Sequence, residues 1–339
     1  MKKFFGAICL ILAMCITGGC APRSQSGQPA AQNAEPPRNQ AANPGEGKKL
    51  SVVTTIFPPY DFARQIAGDK AEVTMLLPPG AESHSFEPTP QDIIKIQNCD
   101  VFVYNGGDSD AWVDRILGSM DTSGIRVLSM MDMVKARLVE EETVEGMEAE
   151  EEDGPDQGPE YDEHVWTSPV NSSVIVSALE RSLAEADPAN AEAYKAGADD
   201  YNAKLAELDA GFKAIVESAP LKELVFGDRF PFRYFAEEYG LKYYAAFNGC
   251  STETEASPAT IAFLINKVRE DKIPAVCHIE LSNEKIADAV CEATGAENLL
   301  FHSAHNLTKD DFDAGASYYD IMKLNEEALK KALGFNEGD

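Results

Sequence analysis

From about residue 50 the chain alternates short apolar runs with stretches whose apolar residues recur at helical spacing. In the first half, residues 50–56, 72–77, 101–104 and 126–129 read as strands, and 60–66, 90–97 and 111–117 as helices. The rhythm returns later. Strands are predicted at 224–226, 243–247, 275–280 and 298–301, with helices at 232–239, 258–270, 283–294 and 318–333. Strands separated by helical crossovers pair in parallel, and helices cover both faces of the sheets they make. The expected fold class is α/β, as two similar lobes.

Between the halves, Asp187-Pro188 supplies a helix N-cap followed by Pro at the first helical position. The apolar residues Tyr194, Tyr201, Leu205, Leu208, Phe212 and Ile215 then keep one helical face, and no Pro interrupts before Pro220. About 30 residues at 1.5 Å each predict a rod of roughly 45 Å. Such a rod reads as a backbone strut packed along both lobes, not as a free linker. The expected division is an N-terminal lobe at 49–186, a linker helix at 187–219 and a C-terminal lobe at 220–339.

The N-terminus differs in kind. Lys2 and Lys3 precede an apolar run that is too short for a comfortable membrane span, and Gly18 and Gly19 lead into Cys20. Residues 1–19 therefore read as a secretory signal. Thr17-Gly18-Gly19-Cys20 resembles the lipobox of bacterial lipoproteins, with Thr17 where that pattern usually has Leu. The resemblance implies lipidation at Cys20 and a chain held to the outer face of the cell membrane; the alternative is an ordinary cleaved signal. Residues 20–48 are Pro, Gln, Asn, Ala, Gly and Ser with few large apolar side chains, the composition of a disordered tether.

Composition narrows the partners. Lys and Arg number 29 against 57 Asp and Glu, a formal charge of −28, which excludes a phosphate-binding surface for nucleic acid. An insertion at 139–163 carries much of the acid: from Glu140 to Glu163 there are 13 acidic residues and no Lys or Arg. Like-charge repulsion predicts an extended loop, either merely solvated or acting as a collector of cations. The cysteines include no Cys-x-x-Cys pair, so a thiolate zinc knuckle is not expected.

Histidine is scarce, at five residues, so its placement carries weight. His84 follows the second predicted strand, His164 follows the acidic insertion after the fourth, and His302 ends the last strand. Ligands of open α/β sheets bind at the carboxyl ends of strands, and imidazole suits zinc and related divalent ions. His84, His164 and His302 are the candidate metal ligands, from lobes that would face each other. His305 offers a second nitrogen three residues beyond His302, and His278 lies within a strand beside Cys277. Both are weaker candidates.

Several motifs together resemble one family. They are Thr54-Thr55-Ile56-Phe57-Pro58-Pro59, Leu76-Leu77-Pro78-Pro79-Gly80, His84-Ser85-Phe86-Glu87-Pro88, His164-Val165-Trp166 and Tyr234-Phe235-Ala236-Glu237-Glu238-Tyr239-Gly240-Leu241. The chain is similar over residues 50–335 to the zinc/manganese solute-binding lipoproteins of ABC importers. The resemblance implies a metal held between two lobes joined by one helix, delivery to an ABC transporter permease, and no catalysis. It places His84 and His164 at the first two family ligand positions, Arg229 at the third and His302 at the fourth. Arginine has no lone pair for a metal. Asp228 and Glu280 are therefore the candidate substitute donors, with water the alternative ligand. Their alternative roles are a salt bridge to Arg229 or Arg233 for Asp228 and a capping or interlobe hydrogen bond for Glu280. Arg229 is expected to turn from the metal and pair with an acidic group such as Asp228 or Glu280. Replacing a carboxylate by His at the fourth position favours zinc over manganese. The chain is expected to act as a monomer. A zinc-dependent hydrolase and a surface adhesion lipoprotein are the competing functions.

Overall fold

The computed structural model describes residues 48–83, 85–148, 160–251 and 255–335. The signal segment, Cys20, the tether up to residue 47, residues 149–159 of the acidic insertion and His84 lie outside the described residues.

The first half runs β1 (Leu50–Thr54), α1 (Phe57–Ala67), β2 (Ala71–Met75), α2 (Pro90–Asn98), β3 (Val101–Tyr104), α3 (Ala111–Leu117), β4 (Arg126–Ser129), α4 (Met130–Met133) and α5 (Pro169–Ala186). The long α6 (Ala191–Ser218) follows. The second half is β5 (Glu223–Phe230), α7 (Arg233–Tyr239), β6 (Lys242–Asn248), α8 (Pro258–Glu270), β7 (Ala275–His278), α9 (Lys285–Thr294), β8 (Glu297–Leu300), α10 (Lys309–Asp313) and α11 (Tyr318–Ala332).

Each half holds a four-stranded sheet, ordered β2-β1-β3-β4 and β6-β5-β7-β8, and every pairing is parallel. The orders are the same in kind. In each, the chain moves outward from the first strand, then returns and builds the other side. The direction therefore reverses beside β1 and β5, the place where open sheets of this class leave a crevice at their carboxyl ends. In β5 the register with β6 shifts between Phe226 and Arg229. A Cβ at Gly227 would collide with the Ala287 backbone, so glycine lets this irregular stretch lie against α9.

Helix α6 has 28 residues, about 42 Å at 1.5 Å per residue. It buries Tyr194, Ala198, Tyr201, Leu205, Leu208, Phe212, Ile215 and Val216, the face its sequence spacing predicts. It packs on α5, α1 and α11. Gly197 permits the approach to α1, since a Cβ there would meet the Ile66 carbonyl. The junction is also polar. Asp61 of α1, fully buried, accepts from the Tyr201 hydroxyl at 2.6 Å and the Tyr318 amide at 2.9 Å, and pairs with Arg64 at 2.7 Å. One carboxylate thus ties α1, α6 and α11 together.

Two features depart from the sequence pattern. Helix α5, 18 residues long, was not legible as a helix, although Ser168 caps it through the Asn171 amide and Pro169 opens it. The acidic insertion does not leave the body at once. Glu140 bridges to Tyr161, Glu148 donates its amide to the Ala246 carbonyl at 3.0 Å, and Met147 is buried. Gly146, at φ 88, lies where any Cβ would strike the Phe263 ring. Both flanks are docked because their apolar and hydrogen-bonding groups find partners on the second half, so charge repulsion does not keep them extended; residues 149–159 lie outside the described residues.

Candidate metal centre

The carboxyl ends of the two sheets meet at a cleft of about 30 Å³. From the first half it takes Glu82 and Ser83, in the loop after β2, and His164, in the loop before α5. From the second it takes Arg229 of β5, Glu280 after β7, and His305 after β8.

His164 is fully buried. Asp162 holds it from behind: one carboxylate oxygen accepts the His164 amide at 2.8 Å and lies 3.2 Å from Nδ1. Burial opposes the imidazolium, but the charges of Asp162, Glu163 and Glu141 outweigh that and hold the His164 pKa above its ordinary value. Tyr234 donates to the Asp162 carbonyl at 2.6 Å and so fixes this turn against α7.

His305 faces it. The two imidazole centroids are 5.4 Å apart with planes at 87°, and Trp166 stacks edge-on to His305 at 4.8 Å. His305 Nδ1 is 3.2 Å from the Ser83 hydroxyl. The loop carrying His305 is built by Glu280, whose carboxylate accepts from the Ser303 amide at 2.7 Å, the Ser303 hydroxyl at 2.6 Å and the His305 amide at 3.0 Å. The Trp166 indole donates to the Ser303 carbonyl at 2.8 Å, which joins the His305 loop to the first half.

His302 does not line the cleft. Its Nδ1 accepts the Ala304 amide at 2.9 Å and lies 3.3 Å from Glu280, while Asn325 clamps its backbone through both amide and carbonyl at 2.8 Å. The turn passes through Ala304 at φ 59, and after it His305 is the imidazole that reaches the cleft. His278 is also elsewhere, with Nδ1 2.7 Å from the Asn298 side chain on the neighbouring strand.

The carboxylates considered as substitutes have other partners. Asp228 accepts the Arg229 amide at 2.8 Å and the Ile279 amide at 3.1 Å, which stitches β5 to the end of β7. Arg229 pairs with neither Asp228 nor Glu280. Its Nη1 donates to Glu82 and to the Ser251 carbonyl, both at 3.3 Å. Among the described residues no group of three or more His, Cys, Asp or Glu is close enough to hold a metal ion. His84, two residues beyond Glu82, lies outside them.

Sequence reasoning missed the buried acids beside the cleft. Glu163 accepts from the Ser109 hydroxyl at 2.7 Å, and burial lifts its pKa to about 7. Glu141, at the start of the acidic insertion, accepts the Gly249 amide at 3.0 Å and is also raised by burial. Next to them burial pushes the Cys250 thiol well above its usual value, so it is held as a neutral, unreactive group. Cys99, Cys277 and Cys291 are free thiols as well.

Comparison with known proteins decides the family. Residues 52–332 match the zinc-uptake complex component A family, ZnuA, described as periplasmic. The chain belongs to this family. ZnuA relatives include the high-affinity zinc uptake system protein ZnuA of Bacillus subtilis, 34% identical over 295 residues, 85% of this chain and 89% of that protein. The zinc-binding lipoprotein AdcA of Streptococcus pneumoniae is 33% identical over 84% of this chain, which spans only 56% of AdcA. The crystal structure of the Zn(II)-bound ZnuA-like domain of that AdcA superposes with a TM-score of 0.68 at 30% identity, covering 84% of this chain and 99% of the domain. These ZnuA-family relatives are metal-binding proteins of zinc uptake, not enzymes. Both sheets and the long α6 fit this ZnuA fold. No helix among the described residues is long and apolar enough to cross a membrane.

Proposed function

We propose that this ZnuA-family chain captures zinc outside the cytoplasm through His84, His164 and His305, and delivers it to the permease of an ABC importer. A lipid on Cys20 would hold it to the outer face of the membrane, with residues 21–48 as the tether. The observation that carries this reading is the meeting of His164 and His305, one from each half, with centroids 5.4 Å apart. Two imidazoles sharing a tetrahedral ion at about 2.05 Å per Zn–N bond place their centroids about 3.2 Å from it and about 5.2 Å from each other. With Nδ1 of the rings held by Asp162 and Ser83, Nε2 is the nitrogen assigned to the ion in each. His305 takes the role expected of His302, and zinc fits three imidazoles better than manganese does. The acids at 149–159 would raise the local cation concentration and speed capture.

The test is zinc titration of the mature chain, followed by competition with a chelator and by thermal unfolding. One ion is expected per chain, with His164→Ala abolishing tight binding. A melting temperature unmoved by zinc and by manganese would refute the reading.

A further inference from the structure

The loop after β2 belongs to the first half, yet residues 78–83 are held by the second. The Gly80 amide donates to the Leu307 carbonyl at 2.7 Å. Asn306, only 2% exposed, donates its side-chain amide to the Pro78 and Ala81 carbonyls, both at 2.8 Å. Its own Oδ1 accepts the Leu307 amide at 2.8 Å. Both partners of the nitrogen are carbonyls and the partner of the oxygen is an N–H, so one orientation of the carboxamide satisfies all three contacts. The Ser83 hydroxyl, two residues beyond the clamped Ala81, then stands 3.2 Å from His305 Nδ1.

Asn306 is well placed to anchor this loop. Within the second half, Glu280 accepts the Ser303 and His305 amides, so the backbone leading into Asn306 is already fixed. Other ties across the cleft do less at this point. Trp166 joins Ser303 to the first half but does not touch the loop that carries Ser83. The Arg229–Glu82 pair does reach that loop, but it is long at 3.3 Å and Glu82 is 43% exposed, which makes it a weak restraint. A hydroxyl–imidazole contact loses its geometry over a few tenths of an ångström. The separation of Ser83 and His305 therefore depends on the buried carboxamide beside them.

We propose that Asn306 is a positioning residue for ion capture: by clamping the β2 loop to the segment after His305, it sets Ser83 against His305 Nδ1 and so presents Nε2 to the cleft. This rests on the metal-capture reading above and names a determinant of its affinity that is not itself a ligand. The clamp orders both loops as part of the fold, so the ion does not have to order them on binding. Losing it weakens binding as well as stability, and it acts through the Ser83–His305 contact.

The experiment measures zinc affinity of the mature chain by competition with a fluorescent chelator at fixed pH, and urea unfolding without zinc, for the wild type, Asn306→Leu, Ser83→Ala and the double variant. Asp61→Ala, which breaks a buried tie at the junction of α1, α6 and α11, is the control for lost stability alone. Removing a group that orients a metal ligand typically weakens binding 10- to 100-fold, so folded Asn306→Leu should show a Kd at least about tenfold weaker, and Ser83→Ala likewise. The double variant should bind no more than about twofold more weakly than the weaker single one, because both changes remove the same contact. Asp61→Ala should keep its Kd within about twofold of the wild type. An Asn306→Leu chain that is less stable but binds zinc like the wild type overturns the proposal, and so do fully additive losses in the double variant. Should Asn306→Leu not fold, Ser83→Ala carries the test: a tenfold loss supports the proposal and an unchanged Kd overturns it. A wild-type chain that binds no zinc overturns the metal-capture reading as well, whereas normal binding in the variants overturns this proposal alone.

Discussion

Replacing His305 and His302 one at a time separates a cleft residue from a scaffold residue only three positions away. Loss of a partner one shell removed from a metal typically weakens binding 10- to 100-fold, so removing a coordinating imidazole should cost at least about 100-fold. At a free zinc concentration about 1,000 times the wild-type Kd, binding stabilises the native state by about 4 kcal/mol; with a Kd 100-fold weaker, the same zinc gives about 1.4 kcal/mol. The α/β body spans Gly47–Asp339. At roughly 2.1 cal/mol/K of unfolding entropy per residue, 1 kcal/mol moves its midpoint by about 1.6 °C. Zinc should therefore raise the wild-type midpoint by about 7 °C and that of His305→Ala by about 2 °C.

His302→Ala should behave in the opposite way. It removes the acceptor of the Ala304 amide at 2.9 Å but keeps the Asn325 clamp, which uses only backbone atoms of residue 302. The midpoint without zinc should fall, by an amount worth about 1–2 kcal/mol, while most of the zinc-induced rise survives. Differential scanning calorimetry of the chelator-treated and zinc-loaded variants reads both quantities. If His302→Ala lost the zinc shift and His305→Ala kept it, the assignment of the cleft would be refuted.

Other consequences concern the scaffold. Burial raises the Asp110 pKa from 3.8 to about 6. The unfolded chain therefore loses this proton first, and stability falls by up to roughly 3 kcal/mol as pH rises from about 4 to 6. One oxygen, Oδ2, accepts from the Asn105 and Gly106 amides and the Thr55 hydroxyl, so Asp110→Asn keeps those bonds and should remove this pH dependence from urea midpoints. Asp61→Ala leaves the buried Tyr201 hydroxyl and the Tyr318 amide without their acceptor and should cost about 3–5 kcal/mol by chemical denaturation, with zinc affinity retained in the folded fraction. Gly146→Ala combines a left-handed φ of 88 with a collision against Phe263. It should cost about 2–4 kcal/mol or release the docked flank, seen as faster amide exchange over residues 140–148.

Much of the architecture was legible because its signals are local. Apolar runs marked every strand, and a capped, Pro-free stretch with one apolar face marked α6. Helix α5 was hidden because Ser172, Ser173 and Ser177 dilute the stripe made by Ile175, Val176, Leu179 and Leu183. Those serines bond to the Trp166 carbonyl, the Asn202 side chain and the Ser173 carbonyl, so part of what the helix packs against is polar.

The sequence by itself also determined the chemistry on offer: few histidines, and an arginine at the position where the family resemblance implies a metal donor. Which histidine meets His164 was decided only by the tertiary structure. His302 and His305 share one short loop, and its course depends on Glu280 after another strand, on Trp166 from the other half and on a left-handed Ala304. The partner of Arg229 was likewise a residue 147 positions away, Glu82, rather than its neighbour Asp228. Local sequence sets backbone periodicity because neighbouring residues compete for the same hydrogen bonds and the same face. Side-chain direction in an irregular loop is set by contacts that exist only after distant segments have packed, and this cleft is made of such loops.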